Sequence, residues 1–242
     1  MTRNFKMIAC KVLLRELYSL AYNCPNAVDI TWLRQKLHET PDRLRQEVQG
    51  IIDRIDATEG DPCEAILLGY GLCSNGIVGL RSRRYPLVIP RAHDCITFLL
   101  GSKERYRQEF EGHSGGIYWY SPGWIEQCQQ PSRERLENTY RDYVERFGED
   151  NAQYLMEMEQ RWMTEYHHAI YVDWPALHRP DYVRYTQECA EFLHWQCHVL
   201  PGDDSLMRAL MAGQWDKERF VIVPPGSTVR PSYGPDIIQI DA

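Results

Sequence analysis

The chain has eight cysteines but no Cys-x-x-Cys pair. That excludes a zinc ribbon and a thioredoxin-type redox motif, since both need two sulfurs within one turn. Its apolar runs last only a few residues, far short of the roughly 20 needed to cross a bilayer as a helix. No lysine-rich tail or basic stripe is present and the net charge is −7, so neither nucleic acid nor a membrane is an expected partner. The first residues lack the apolar core of roughly 7–15 residues that marks a secretory signal, and a cytoplasmic protein is expected. There is no low-complexity tract, no G-x-G-x-x-G fingerprint and no Gly-rich loop ending in Lys-Ser or Lys-Thr. A dinucleotide fold and a P-loop therefore have no support.

What is present is an ordinary globular composition, 43% hydrophobic and 25% charged. The 242 residues suffice for one large α/β domain or two small ones. Short apolar runs closed by Gly or Pro predict strands near 6–9, 28–33, 65–68, 86–89, 117–120, 169–172, 198–200 and 220–223. Helical spacing of apolar residues predicts helices over 12–20, 41–55, 77–80, 96–100, 133–147, 151–165, 181–193 and 205–211. Thr40 followed by Pro41 predicts a capped helix start, and Ser102 predicts another.

This alternation implies an open, mostly parallel, Rossmann-like α/β sheet with helices on both faces. Residues 1–130 form a first half, 131–168 a helical insertion or cap, and 169–242 a second half and tail; a single compact domain is the other arrangement. Two similar halves are expected from the recurring strand pattern.

The chemistry falls just past three predicted strands. Cys10 follows the first, Cys73 the run at 65–68, and His93 and Cys95 the run at 86–89. Ligands of open α/β sheets bind at that carboxyl edge. In a reducing compartment such cysteines are metal ligands, catalytic thiols or small buried hydrophobes. Cys10, Cys73 and Cys95, with His93 as fourth or alternate ligand, form a candidate metal site. Three sulfurs leave one position open, which suits a catalytic zinc or an iron–sulfur cluster with one exchangeable iron.

Gly69, Gly71, Ser74, Asn75 and Gly76 form a turn that lets backbone approach a cofactor or anion closely. Arg91 is a candidate for an anionic group beside the metal, Asp94 for orienting His93, and Glu126 for general acid–base work. His194, Cys197 and His198 with Cys189 form a weaker second cluster, whereas His167 and His168 read as structural. Tyr154, Met156, Met158 and Trp162 read as a packing face of the helical segment or an oligomer surface.

The turns Gly69-Tyr70-Gly71-Leu72-Cys73-Ser74-Asn75-Gly76, Pro90-Arg91-Ala92-His93-Asp94-Cys95, Gly101-Ser102-Lys103-Glu104 and Ser121-Pro122-Gly123-Trp124 together resemble an uncharacterised family, domain of unknown function 1638. The resemblance covers most of residues 6–225 and implies a place beside corrinoid-dependent methyltransferase systems. It implies a corrinoid protein or methyltransferase as partner, and Cys10, Cys73, His93 and Cys95 as functional residues. A metal-binding protein in or supporting corrinoid-linked methyl transfer and one-carbon metabolism is then the leading expectation. With zinc, a substrate thiol would be held as a nucleophilic thiolate and take the methyl group. With an iron–sulfur cluster, the task would be electron delivery or substrate activation. Two other readings stay open: a small-molecule or anion-binding module, and a methyltransferase-complex adaptor, both with structural cysteines.

Overall fold

The computed structural model describes residues 2–114 and 116–241. Ten strands and nine α-helices are described in chain order: β1 (Asn4–Cys10), α1 (Leu14–Ala21), β2 (Ala27–Leu33), α2 (Pro41–Ala57), β3 (Ala65–Gly69), β4 (Leu87–Pro90), α3 (Cys95–Leu100), α4 (Lys103–Gly112), β5 (Ile117–Tyr120), α5 (Pro122–Gln127), α6 (Arg133–Phe147), α7 (Glu149–Gln160), β6 (His168–Asp173), α8 (Pro180–Leu193), β7 (Gln196–Pro201), α9 (Ser205–Ala212), β8 (Phe220–Val223), β9 (Thr228–Pro231) and β10 (Ile238–Asp241).

The chain divides into two units, Met1–Tyr106 with Asp203–Ala242, and Arg107–Gly202. The first holds a five-stranded sheet of order β2-β1-β3-β4-β8. Four strands run parallel and β8 runs antiparallel to β4. Every residue of β3 and β4 is buried, so these strands show no in–out alternation. That pattern requires cover on both faces, as in a doubly wound sheet. The expected class, an open and mostly parallel α/β sheet with helices around it, is the one observed. The second unit has its own parallel sheet, β5-β6-β7.

The division therefore falls at 106/107 and 202/203 rather than at 130 and 168. Pairing explains the difference. β5, placed by sequence in the first half, pairs with β6. β8, placed in the second half, closes the first sheet against β4. The helices of 131–168 are not an isolated insertion either. Leu136 and Met156 enter a core with Tyr120, Tyr171, Cys189 and Trp195, and Trp162 packs against it. Tyr154 and Met158 stay exposed.

Local rules account for most elements. Pro41 opens α2, and Leu44, Val48, Ile51 and Ile52 form its buried stripe. Thr40 does not cap it, because its hydroxyl turns back to the Leu37 carbonyl at 3.4 Å. Ser102 does accept the Arg105 N–H, at 3.1 Å. The helix expected at 77–80 is absent. Gly79 takes φ +85° and donates its N–H to Val229 at 2.8 Å, while Leu80 accepts from Val229 at 3.1 Å. That segment is spent on β9, which pairs antiparallel with β10 to order the tail. Among the described residues no helix is long and apolar enough to cross a membrane.

Candidate functional site

Three parallel strands of the first unit end side by side. β1 ends at Cys10, and its register sets Ala9 beside Gly69 and Cys10 beside Leu33. A side chain at Gly69 would place its Cβ 2.6 Å from the Ala9 Cβ, so only glycine allows this approach. Beyond β3 and β4 the two turns continue to pair. The Leu72 N–H bonds the Ala92 carbonyl and the Cys73 N–H the His93 carbonyl, both at 2.8 Å. Gly71 lies so close to the second turn that a Cβ would meet the Ala92 oxygen at 2.6 Å. At Gly76 a Cβ would meet Leu44 Cδ2 at 2.5 Å.

Cys73, Ser74 and Asn75 all adopt left-handed backbone, with φ of 46°, 56° and 64°. Each such non-glycine residue costs roughly 1–2 kcal/mol. Strain of this kind persists only where surrounding contacts fix it, and it concentrates at functional sites. Here the contacts are the Cys73 N–H bond to His93, the Gly76 N–H bond to Cys73 at 2.9 Å, and Arg45 Nη2 on the Asn75 carbonyl at 3.2 Å. Ser74 and Asn75 are exposed.

The turns gather the thiols around one phenol. Tyr70 is buried, and burial first, then the nearby Cys10, Cys73 and Cys95 thiols, push its hydroxyl far above the ordinary phenol range. None of the three cysteines is in a disulfide; Cys10 and Cys73 are buried and Cys95 is partly so. Burial, followed by Asp94 and Cys10, also holds the Cys73 thiol well above its usual value. A nucleophilic cysteine needs the opposite, an electropositive setting that favours thiolate. The site thus supplies soft donors that a cation would deprotonate on binding, rather than a bare nucleophile.

Asp94 caps α3, accepting the Ile96 N–H at 2.9 Å, and takes a hydrogen bond from the Tyr106 hydroxyl at 3.3 Å. Burial raises its carboxyl above the ordinary range, and the Ile96 and Thr97 amides offset this in part. The His93 ring is exposed, 5.8 Å from the Tyr106 ring. Arg91 is taken up by the chain itself, its Nη1 lying 3.6 Å from the Asp236 carboxylate. Its Nε donates to the Lys217 carbonyl at 2.9 Å, and its Nη1 to the Asp236 and Ile238 carbonyls at 2.9 and 2.6 Å. It fastens the tail. Glu126 belongs to the second unit, where it accepts the Tyr182 hydroxyl at 2.5 Å.

Sequence reasoning missed three residues of this edge: Tyr70, His38 and Gln35. Gln35 lies two residues beyond β2, is 6% exposed, and has no partner for either amide atom among the described residues. A buried amide left unpaired calls for an explanation, and an incoming ligand is one. The signal was available, since 34–39 follows a strand just as 70–76 does.

His38 is partly buried, and burial lowers its pKa below the usual value despite Glu39 and Asp94 nearby. The folded chain therefore binds that proton less tightly than the unfolded one. Its contribution to stability is full above the unfolded histidine pKa of about 6.5 and is lost as pH falls through the lower folded value. Urea unfolding at about pH 7.5 and pH 5 should show a pH-dependent loss that His38→Gln reduces. An unchanged pH slope in that variant counts against the assignment.

A different cluster forms in the second unit. His113, His168 and His198 bring their ligand atoms within 4.8 Å of one another, the group of three among the described residues that reaches this spacing. The expected cluster of His194, Cys197 and Cys189 does not assemble around His198. His194 ends α8 in left-handed backbone at φ 59°, and Cys189 sits in the core.

Fold and residue placement together define an α/β protein with a mostly parallel five-stranded sheet and three cysteines at the carboxyl ends of its strands. Residues 32–211 match the family described as protein of unknown function (DUF1638), and the chain belongs to that family. No curated protein and no solved structure matches the chain.

Proposed function

We propose that this protein binds a metal centre through Cys10, Cys73 and Cys95, with His93 as the alternate ligand, and serves corrinoid-linked methyl transfer. The observation that carries the metal reading is that three cysteines, none in a disulfide, lie at or just beyond the carboxyl ends of neighbouring parallel strands, near the buried Tyr70. The donor chemistry fits both zinc and an iron–sulfur cluster. When bound, such a centre supplies electrons or an open coordination position for a substrate.

The chain's own residues do the remaining work. Gly71 admits the 92–94 turn at van der Waals limits, which keeps the two cysteine-bearing turns paired. Tyr70 places a buried hydroxyl near these cysteines, a polar group able to tune a thiolate-held centre. Gln35 offers a buried amide to whatever enters the edge. The corrinoid link rests on the family resemblance, and a corrinoid protein or methyltransferase is the partner it implies.

Iron, zinc and acid-labile sulfide should be measured on protein purified without oxygen, together with the visible spectrum. The wild type should carry metal, and Cys73→Ser and Cys95→Ser should each lose the thiol-bound part of it, read from the sulfur charge-transfer absorption. Absence of metal in the wild type, or full loading of both variants, would sink the reading. Faster loss of the methylcobalamin absorbance with loaded protein plus a thiol than with the thiol alone would support the transfer role.

A further inference from the structure

We propose that His113, His168 and His198 of the second unit form a separate binding site for a divalent transition-metal ion, with zinc the best match. The site shares no residue with the thiol edge and stands independently of the function proposed for it.

The sheet itself sets two of the three ligands. In the parallel ladder His168 pairs with Gln196, and His198 pairs with Ile170. Side chains two residues apart on a strand share a face. His168 and His198 are therefore diagonal neighbours on one face of β6 and β7. Their facing nitrogens, His168 Nδ1 and His198 Nε2, are 3.3 Å apart. Zinc–nitrogen bonds of about 2.0–2.1 Å place two tetrahedral ligand nitrogens about 3.3–3.4 Å apart. The spacing is the edge of a tetrahedral site.

His113 supplies the third ligand from the turn between α4 and β5. Its ring centroid is 4.8 Å from that of His168 and 4.9 Å from that of His198, at steep angles of 70° and 69°. Its Nδ1 lies 2.8 Å from the Glu109 carbonyl. That bond fixes the proton on Nδ1 and leaves the Nε2 lone pair for a metal. Metal-bound histidines are commonly oriented in this way, one ring nitrogen to a carbonyl or carboxylate and the other to the ion. The Glu109 carboxylate, 4.0 Å from the same Nδ1, adds negative charge just outside the ligands.

All three histidines are partly buried, so the site is shielded yet reachable. Imidazole donors suit zinc, copper, nickel and iron rather than magnesium or calcium. Three protein ligands leave a coordination position open, the donor count of a catalytic zinc rather than a closed structural one. The sequence pointed to His198 only in company with His194, Cys197 and Cys189, and to His168 only as structural, because the three histidines are 55 and 30 residues apart along the chain.

Cobalt(II) distinguishes this site from the thiol edge, since sulfur ligands add a near-ultraviolet charge-transfer band that imidazoles do not. Full-length protein, freed of metal with a chelator and kept reduced, is titrated with Co²⁺ without oxygen. The Cys73→Ser variant should keep one equivalent of tetrahedral cobalt absorption free of sulfur charge transfer, and Zn²⁺ should displace it. His198→Asn and His113→Asn should each weaken that binding by more than the roughly 10–100-fold that loss of an outer-shell partner costs. His113 lies in a turn outside the sheet, so its variant reports on the site even if a strand variant fails to fold. Sulfur-free cobalt binding that survives in the His113→Asn variant, or its absence from wild type and Cys73→Ser alike, overturns the proposal.

Discussion

Leu44→Ala is expected to lower stability by about 2–5 kcal/mol, the range for emptying a fully buried leucine position. Leu44 is completely buried on the inner stripe of α2. It is also the side chain on which Gly76 rests, with only 2.5 Å to spare for a Cβ there. Leu44 is thus the floor of the loop that holds Cys73, Ser74 and Asn75 in left-handed backbone. Without it the cavity term adds to the lost burial, and the strained loop has room to relax. The variant should therefore lose metal as well as stability. Urea unfolding at constant m-value measures the first effect and metal content the second. A loss below about 1 kcal/mol would show that the site tolerates the cavity and that Leu44 is not the loop's support.

Gly71→Ala is expected to cost about 1–3 kcal/mol or more, the range for overpacking a close-fitted interior. The added methyl would stand 2.6 Å from the Ala92 oxygen, 2.8 Å from the Asp94 nitrogen and 2.9 Å from the Ala92 carbonyl carbon. All three atoms are backbone, so no flexible side-chain end can step aside. The turns must separate, and the Leu72 and Cys73 hydrogen bonds to Ala92 and His93 lengthen with them. Gly50→Ala is the control. It lies inside α2, where a Cβ would meet nothing nearer than 3.8 Å. That variant should be more stable by about 0.5–1 kcal/mol, the ordinary gain of alanine over glycine in a helix. Thermal melts of both variants, with opposite shifts, check the pair. Equal shifts would mean that the Gly71 approach is not specific.

Much of the site was legible because its chemistry sits directly after apolar runs. Cys10 closes β1 and Cys73 and Cys95 come a few residues after β3 and β4, and parallel strands end on one edge. Reading the runs was enough to place the thiols there. Arg91 was legible only as a charge near that edge. The carbonyls it binds belong to Lys217, Asp236 and Ile238, more than 120 residues away, and no local pattern reports such partners. Glu126 followed a strand in the same way, but its strand pairs with β6 in the other unit. Sequence periodicity identifies a strand without saying which sheet it joins.

The chain by itself determined the α/β alternation, because burial periodicity is local, and the thiol edge, because strand ends and parallel direction follow from it. Only the tertiary structure decided the division into units, since β5 and β8 each pair across long stretches of chain. It alone decided the left-handed turn at Cys73 to Asn75, which no glycine announces and which packing on Leu44 and pairing with His93 enforce. It alone brought His113, His168 and His198 together, because ladder register and the turn after α4 set that spacing.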